Sequence, residues 1–207
     1  MCDAHGSPAA LDWVGEHAGG FDAAIVGGDL AKGGPAGYGL SFLLALTKGG
    51  RAAVYVPGNW DEPDAPLPDR VVNLHGRTMT LGRRVFGGLG GSGPAPFKSP
   101  FELTDDQARA ALTSLGRVDV LVSHSPPART KCDLADGVHI GSVPVREYVL
   151  KERPGLVLSG HVHESRAVDR LGGTTVVNPG PISRGRYAVV TLGSQIQAEL
   201  LAWTPKG

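Results

Sequence analysis

Short apolar runs alternate along this chain with longer amphipathic stretches. Eight runs are rich in Val, Ile and Leu, and most are closely followed by Gly, Pro or Asn, a pattern that predicts buried strands. The predicted strands span residues 23–26, 52–56, 85–89, 118–122, 156–158, 174–177, 187–192 and 196–203.

Helix signals lie between several of these strands. Ser7 followed by Pro8 is an N-cap with a first-turn proline, and Thr104 with Gln107 is a capping box ahead of an alanine-rich stretch. The four helices are predicted after Ser7, over residues 38–48, after Thr104 and over residues 142–152.

The order of these elements predicts an α/β fold. The first two thirds of the chain are strand–helix–strand units and the last third is a series of strands, which favours a mixed sheet system covered by helices. No repeat of fixed period and no linker divides the chain, so a single domain is expected over residues 1–207.

The start of the chain departs from the usual pattern of an α/β unit. Such a unit opens with an apolar strand, but only Met1 and Cys2 precede Asp3. We therefore expect either a very short first strand or a natural chain that begins upstream of Met1.

Composition and charge narrow the classes of function. The 207 residues carry 20 Lys and Arg against 20 Asp and Glu, and a net charge of +0 gives no broad electrostatic footprint for nucleic acid or for an anionic membrane. The 41% share of hydrophobic residues argues against a disordered chain. No apolar stretch reaches the roughly 18–20 residues of a membrane span, and no leader is evident.

Cysteine usage points to a compartment. The two cysteines, Cys2 and Cys132, do not make a disulfide framework, neither lies in a C-x-x-C pair, and they fit a reducing cytosol. A cytoplasmic protein is therefore expected, and its oligomeric state is left open.

Metal-binding types of side chain follow one apolar run after another. Because ligands gather at the carboxyl ends of strands in open α/β sheets, these side chains are expected to meet at one edge. Each of them alone has a plainer interpretation as a turn residue, a helix cap or a hydrogen-bonded histidine, but their recurrence is hard to explain by turns. The set comprises Asp3, His5, Asp29, Asn59, His124, His161 and His163.

The order of the motifs D-x-H, G-D, G-N-x-D, a lone H and G-H-x-H resembles that of the calcineurin-like metallophosphoesterases. Residues 87–102, 123–142 and 159–181 further resemble the small Icc-related predicted phosphoesterases of archaea and bacteria. The resemblance implies a two-sheet β-sandwich flanked by helices, with the layers α/β/β/α.

The resemblance also implies a dinuclear metal site. Asp3, His5, Asp29 and His163 would hold one divalent ion, and Asp29, Asn59, His124 and His161 would hold the other. Mixed nitrogen and oxygen ligands suit Mn, Fe, Zn, Co or Ni. A bridging water would lose its proton near neutral pH and attack phosphorus in line, so we expect hydrolysis of a small phosphoester, and of a diester in particular.

One position departs from the pattern of the superfamily. Many members have a histidine after the motif Asn59, where it can protonate the leaving group, and here that residue is Trp60. Trp60 is expected either to close the rim of the pocket or to stack on a base or aryl group. Asp61 is expected to orient His124, with assistance to proton transfer as the alternative. His124, Asn59 and Asp61 thus form the expected catalytic set.

Other polar residues are weaker candidates for substrate contacts. The glycine-rich residues 88–93 match G-x-G-x-x-G, but Pro94 follows where a dinucleotide loop would open a helix. A surface or structural role is the better single interpretation for each of the remaining candidates, of which Arg129 and His139 come first. They are Ser92, His75, Arg129, His139, Arg146 and Arg184, while His17 is interpreted only as a helix-end histidine.

Two rival functions follow from the same features. The short start of the chain and Trp60 favour an inactive metal-site scaffold that binds protein partners, whereas the complete ligand set argues against it. A nuclease is the second rival, and the net charge of +0 and the lack of a basic, aromatic-rich run count against it.

Overall fold

The computed structural model describes residues 1–95 and 98–204 of the chain. Pro96 and Phe97, which belong to the stretch 87–102 discussed above, lie outside the described residues. Within the described part, the α-helices are α1 (Pro8–His17), α2 (Tyr38–Thr47), α3 (Asp105–Leu115) and α4 (Val143–Glu152), and a short 3-10 helix spans Ile182–Arg184.

The strands number from β1 to β13 in chain order. They are β1 (Ala23–Val26), β2 (Ala52–Tyr55), β3 (Val71–Asn73), β4 (Thr78–Leu81), β5 (Arg84–Leu89), β6 (Val120–Ser123), β7 (Leu134–Ala135), β8 (Val138–His139), β9 (Leu156–Leu158), β10 (Ala167–Leu171), β11 (Thr174–Asn178), β12 (Arg186–Leu192) and β13 (Ile196–Ala202).

These strands form two main sheets. A three-stranded parallel sheet has the order β1-β2-β3, and a six-stranded mixed sheet has the order β10-β11-β9-β6-β5-β4. In the larger sheet β5, β6, β9 and β11 are parallel, and β4 and β10 pair antiparallel at its two edges. β12 pairs with β13 in an antiparallel hairpin, and β7 pairs with β8 in a shorter one.

Alternation along the strands divides the core into three layers of side chains. In β2, Ala53 and Tyr55 pack against α1 and α2, while Val54 and Val56 on the opposite face pack against the larger sheet. In β6, Val120 and Val122 face the same inter-sheet layer, and Leu121 faces α3 and α4. The hairpin β12–β13 also packs into the inter-sheet layer. The predicted α/β/β/α architecture is therefore confirmed.

The helices begin where the sequence predicted them. Ser7 Oγ accepts a hydrogen bond from the Ala10 N–H, and Thr104 and Gln107 form the reciprocal capping box. The eight predicted strands are present with shifts of one or two residues at their ends, the run 118–122 starting as a strand only at Val120. β3, β4, β10 and the hairpin β7–β8 were not predicted, because they are short or partly exposed and lack a continuous apolar run.

The first residues of the chain lie beside β1 as an extended segment. The Met1 amine donates to Ile25 O at 2.9 Å, and Gly27 N donates to Met1 O at 2.9 Å. Beyond Met1, a mainly apolar cavity of about 400 Å³ lies between β1 and β12 and is lined by Trp13, Phe21 and Tyr187 among others. This extended segment takes the place of the very short first strand that was expected, and the cavity lies next to it.

Among the helices of the described residues, none is both long enough and apolar enough to cross a membrane.

Candidate metal centre

The seven predicted ligands lie together at the carboxyl ends of parallel strands from both sheets. Asp29 follows β1 after two glycines, and Asn59 follows β2 after the three residues 56–58. His124 directly follows β6, and His161 and His163 follow β9. Asp3 joins them because its backbone N–H donates to Gly28 O at 2.9 Å. The strand-end arrangement expected from the sequence is therefore what brings these residues together.

A first group of donor atoms is formed by Asp3, His5 and His163. The His163 Nε2 lies 3.6 Å from Asp3 Oδ1, and the His5 Nε2 lies 4.0 Å from the same oxygen. The two Nε2 atoms face each other at 3.1 Å. Their ligand atoms all lie within 4.8 Å of one another, as a metal site requires.

A second group surrounds the buried amide of Asn59. Asn59 Oδ1 lies 3.0 Å from His124 Nε2 and 3.0 Å from His161 Nδ1. The two imidazole nitrogens are 3.2 Å apart. Three donor atoms thus converge on one small volume.

Asp29 lies between the two groups. Its Oδ2 is 3.8 Å from His5 Nε2 in the first group and 3.6 Å from His124 Nε2 in the second. Its Oδ1 accepts a hydrogen bond from the Trp60 N–H at 2.9 Å. One carboxylate therefore faces both groups, which is the position of a ligand shared by two ions.

The chemistry of this donor set fits divalent cations. Pairs of imidazole nitrogens that face each other at 3.1–3.2 Å can be satisfied by a hydrogen bond only if one ring of each pair carries the proton there. The buried Nδ1 of His5 has no hydrogen-bond partner among the described residues. Imidazole nitrogens together with carboxylate and amide oxygens are the mixture that Mn, Fe, Zn, Co and Ni accept.

Burial and mutual charge set the protonation of the site. Burial disfavours the charged form of His124, but the adjacent Asp29 carboxylate outweighs it and raises the pKa of His124 to about 9. Burial would likewise raise the pKa of Asp29, but the charge and hydrogen bond of His124 hold that pKa well below its usual range. Burial and repulsion from His124 lower the pKa of His161 to about 4. His161 is thus the neutral ligand form at neutral pH, and His124 must release a proton to bind metal.

Asp61 has a different role from the one expected. Its carboxylate accepts hydrogen bonds from the Asp29 N–H at 2.7 Å, the Gly58 N–H at 2.9 Å and the Tyr55 hydroxyl at 2.9 Å. The ring of His124 is instead oriented by Gly27, whose carbonyl oxygen lies 2.6 Å from His124 Nδ1. The expectation that Asp61 orients His124 is therefore wrong. Asp61 holds the turn after β1 against the turn after β2.

Trp60 lies at the rim of the site, half-buried, with its ring covered on one face. Lys32 Nζ is 3.3 Å from the centroid of the Trp60 ring. This contact suits a rim aromatic, since a nucleobase could stack on that face only after Lys32 moves. Sequence reasoning missed Lys32, because nothing in the spacing of two loop residues indicates that they meet.

The remaining candidates are held by structural contacts. His75 Nδ1 accepts from the Gly90 N–H at 3.0 Å, and Ser92 Oγ donates to Gly93 O at 3.0 Å. Arg146 ties its own helix to Ala128 O at 3.0 Å, and Arg184 is exposed.

Arg129 and His139 belong to one loop around Asp133. The Arg129 N–H and His139 Nδ1 contact the two carboxylate oxygens of fully buried Asp133 at 2.9 and 2.7 Å, while the Arg129 side chain is exposed. His17 stacks on Trp13 at 5.2 Å on the exposed end of α1. These contacts agree with the plainer interpretation given to each.

The glycine-rich residues 88–93 pack closely against the turn after β2. Gly91 N donates to Pro57 O at 2.9 Å, and a Cβ atom on Gly90 would lie 2.6 Å from the same oxygen. The glycines therefore allow close backbone contact beside the site.

Comparison with known proteins agrees with this geometry. Residues 108–200, which include His124, His161 and His163, match the family model described as metallophosphoesterase, calcineurin superfamily. This part of the chain is similar to that superfamily. The Asp and His groups of the site could hold a metal ion. The closer resemblance to the Icc-related subgroup stays a prediction.

Related proteins cover different shares of this chain. It is 34% identical over 138 residues to the uncharacterized protein MJ1162 of Methanocaldococcus jannaschii, an alignment that covers 62% of the chain and 63% of that protein. The match thus spans less than two thirds of the curated relative's length.

Two solved structures from Thermus thermophilus resemble this chain in fold. One is TT1561, with a TM-score of 0.73 and 21% identity over 98% of this chain and 96% of that chain. The other is a hypothetical protein with a TM-score of 0.51 and 13% identity over the same shares. At these identities the likeness concerns the fold alone.

Proposed function

We propose that this protein hydrolyses small phosphoesters, and phosphodiesters in particular, with two divalent cations bound at the candidate centre. The observation that carries the proposal is the position of Asp29, whose Oδ2 lies within 4 Å of a histidine of each donor group. A carboxylate placed in this way suits two cations roughly 3.5–4 Å apart, the spacing typical of two-metal phosphatases.

Some residues of the site would bind the two cations, and others would orient the residues that bind them. Asp3, His5 and His163 would hold one ion, Asn59, His124 and His161 would hold the other, and Asp29 would serve both. Such ions supply Lewis-acid activation of the phosphoester and of the attacking water. Gly27 and Asp61 fix the orientation of the His124 ring and of the Asp29 backbone, so the donors are positioned before a substrate arrives.

Trp60 supports a preference for esters with good leaving groups. An indole ring has no proton of useful acidity to give to a departing oxygen, and general acid assistance is typically worth about 10²–10⁴-fold. We therefore expect steep dependence of the rate on leaving-group pKa. The preference for diesters over monoesters rests on the resemblance to the superfamily.

A metal-dependent activity screen tests the proposal. Bis(p-nitrophenyl) phosphate, p-nitrophenyl phosphate and cyclic nucleotides are incubated with the Mn-loaded protein and with chelator present. We expect diester turnover that the chelator abolishes and that Asp29→Asn reduces by more than about 100-fold, while His17→Asn leaves it unchanged. Faster turnover of the monoester would contradict the diester preference.

The scaffold function is the alternative that this screen separates. If two Mn ions bind per chain and no ester is hydrolysed, the result favours the metal-site scaffold over the hydrolase. For location we propose the cytoplasm, because the two buried cysteines are free thiols and suit a reducing compartment.

A further inference from the structure

A lysine side chain stands at the edge of the candidate metal centre. Lys32 lies three residues after Asp29, in the loop between β1 and α2, and it is exposed. Its Nζ rests 3.3 Å from the centroid of the Trp60 ring. Within the described part of the chain, no carboxylate lies within ion-pair distance of this ammonium.

The Asp61 side chain holds the two backbone segments that carry Lys32 and Trp60. Asp61 accepts hydrogen bonds from the N–H groups of Asp29, Leu30 and Ala31 at 2.7, 2.9 and 3.4 Å, so the segment that leads to Lys32 is held in place. The same carboxylate accepts from the Gly58 N–H at 2.9 Å, which holds the segment that leads to Trp60. One buried side chain therefore sets the position of both partners.

The contact lies directly beside the proposed ligands. Trp60 follows Asn59 in the chain, and its N–H donates to Asp29 Oδ1 at 2.9 Å. The Lys32 ammonium therefore lies against the ring of a residue whose backbone contacts the shared ligand Asp29.

We propose that Lys32 is a substrate-contacting residue that binds an anionic oxygen of the phosphoester, and that Trp60 holds Lys32 in place for this contact. The proposal rests on the phosphoester hydrolysis proposed above and extends it, because it names the group that selects for the charge of the substrate. The ligand class is a phosphoryl anion.

The chemistry of the pair explains why both residues are needed. A lysine side chain is long and flexible, and ordering it against a substrate costs conformational entropy. The negative face of an indole ring attracts an ammonium and restricts its position. The N–H groups of the ammonium that do not face the ring stay available to a phosphate oxygen. A charge-assisted hydrogen bond to phosphate is then formed at a smaller entropic cost.

Binding of inorganic phosphate to the Mn-loaded protein tests the proposal without any need for turnover. Calorimetric titration is run on the parent protein and on Lys32→Ala, Lys32→Arg, Trp60→Ala and the double variant. Lys151→Ala is the matched control, because it removes the same charge from an exposed side chain in the last turn of α4. Metal content is measured for every variant.

We expect Lys32→Ala to weaken phosphate binding by about tenfold or more, the loss of one charge-assisted hydrogen bond. Lys32→Arg should keep most of the affinity, since a guanidinium also stacks on indole and binds phosphate. The double variant should lose no more than Lys32→Ala alone, because Trp60 acts through Lys32. For the diester, KM should rise in parallel with the dissociation constant of phosphate.

Failure of this inference is distinguishable from failure of the proposed function. If the parent hydrolyses esters while Lys32→Ala matches the parent in phosphate affinity and in KM, the role of Lys32 is wrong and the function stands. If the parent hydrolyses no ester but Lys32→Ala weakens phosphate binding tenfold with two Mn retained, the anion contact stands and the hydrolase function is wrong. Equal losses in Lys32→Ala and Lys151→Ala would overturn the inference by showing a general charge effect.

Discussion

Four of the seven candidate ligands hold their backbone in the left-handed region. The φ angles are 56° at Asp3, 46° at His5, 54° at Asp29 and 66° at His161. This conformation is uncommon for residues other than glycine, and each instance costs on the order of 1–3 kcal/mol. The left-handed backbone lets each of these side chains turn toward the candidate metal centre. The conformational strain is therefore associated with assembly of the centre.

The shared position of Asp29 leads to a prediction about metal stoichiometry. Asp29→Ala should remove both Mn ions and the activity with them, because its carboxylate faces both donor groups. Asn59→Ala should leave about one ion, because its amide contacts only His124 and His161 among the ligands. Elemental analysis after Mn loading and desalting measures both.

Asp12→Ala is the control for this comparison, since it removes an exposed carboxylate from α1. It should retain about two ions per chain. Two ions or normal turnover in Asp29→Ala would show that the ligand assignment is wrong.

At the scale of elements, the sequence predicts the parts that bury a continuous apolar run or carry a cap. The eight runs and four helices follow from such local signals, and so does the delivery of polar side chains to the ends of β1, β2, β6 and β9. The edge strand β4 and the strand β10 alternate exposed and half-buried residues, and such a pattern is shared with loops. The role of Asp61 depends on contacts between two turns far apart in the chain, which no local pattern encodes.

Close packing of the turn after β2 leads to a prediction about Gly58. A Cβ atom at this position would overlap the carboxylate and the backbone nitrogen of Asp29. Gly58→Ala should therefore lower the free energy of unfolding by roughly 1–3 kcal/mol, as overpacking does, and reduce the bound Mn. Urea titration and elemental analysis measure the two effects.

Gly15→Ala provides the opposite case. Gly15 lies in α1 with open space around its Cα, and alanine there should raise the free energy of unfolding by about 0.5–1 kcal/mol. If both substitutions had the same effect, packing against Asp29 would not be what requires glycine at position 58.

The cavity between β1 and β12 leads to a prediction about an added strand. The Met1 amine is buried, and burial lowers its pKa, while it already makes the hydrogen bond to Ile25 O that a peptide N–H of a parallel strand would make. Four apolar residues such as Val and Ile fused ahead of Met1 should fill the cavity and raise the melting temperature, because each buried aliphatic side chain contributes roughly 1.5–3 kcal/mol.

An extension of alternating Gly and Ser with the same length is the control. It can make the same backbone hydrogen bonds but buries little apolar surface. Equal melting temperatures for the two extended proteins would mean that the cavity does not accept an apolar strand.

At the scale of the whole molecule, the candidate centre joins distant parts of the chain. The ligands come from positions 3 to 163 and from the ends of strands in both sheets, and the His161 N–H donates to the Asp3 carboxylate at 3.2 Å. The motif order in the sequence indicates the residues, but only the packing of the two sheets places their donor atoms within reach of one another.

This spread of the ligands has a consequence for the order of events in folding. Contacts between such distant residues close long loops, so they form only after much of the chain has condensed. A cation that binds the folded protein and not the unfolded chain stabilises the folded protein by mass action. Interactions that are absent from the transition state for folding slow unfolding rather than speed folding.

Mn should therefore slow unfolding in concentrated urea by at least about tenfold and leave the refolding rate within about twofold, as stopped-flow tryptophan fluorescence can measure. Asp29→Ala should show neither effect. Faster refolding with unchanged unfolding would mean that the ligands assemble early. If the ligands assemble late in folding, bound metal sets the lifetime of the folded protein and not the rate at which it folds.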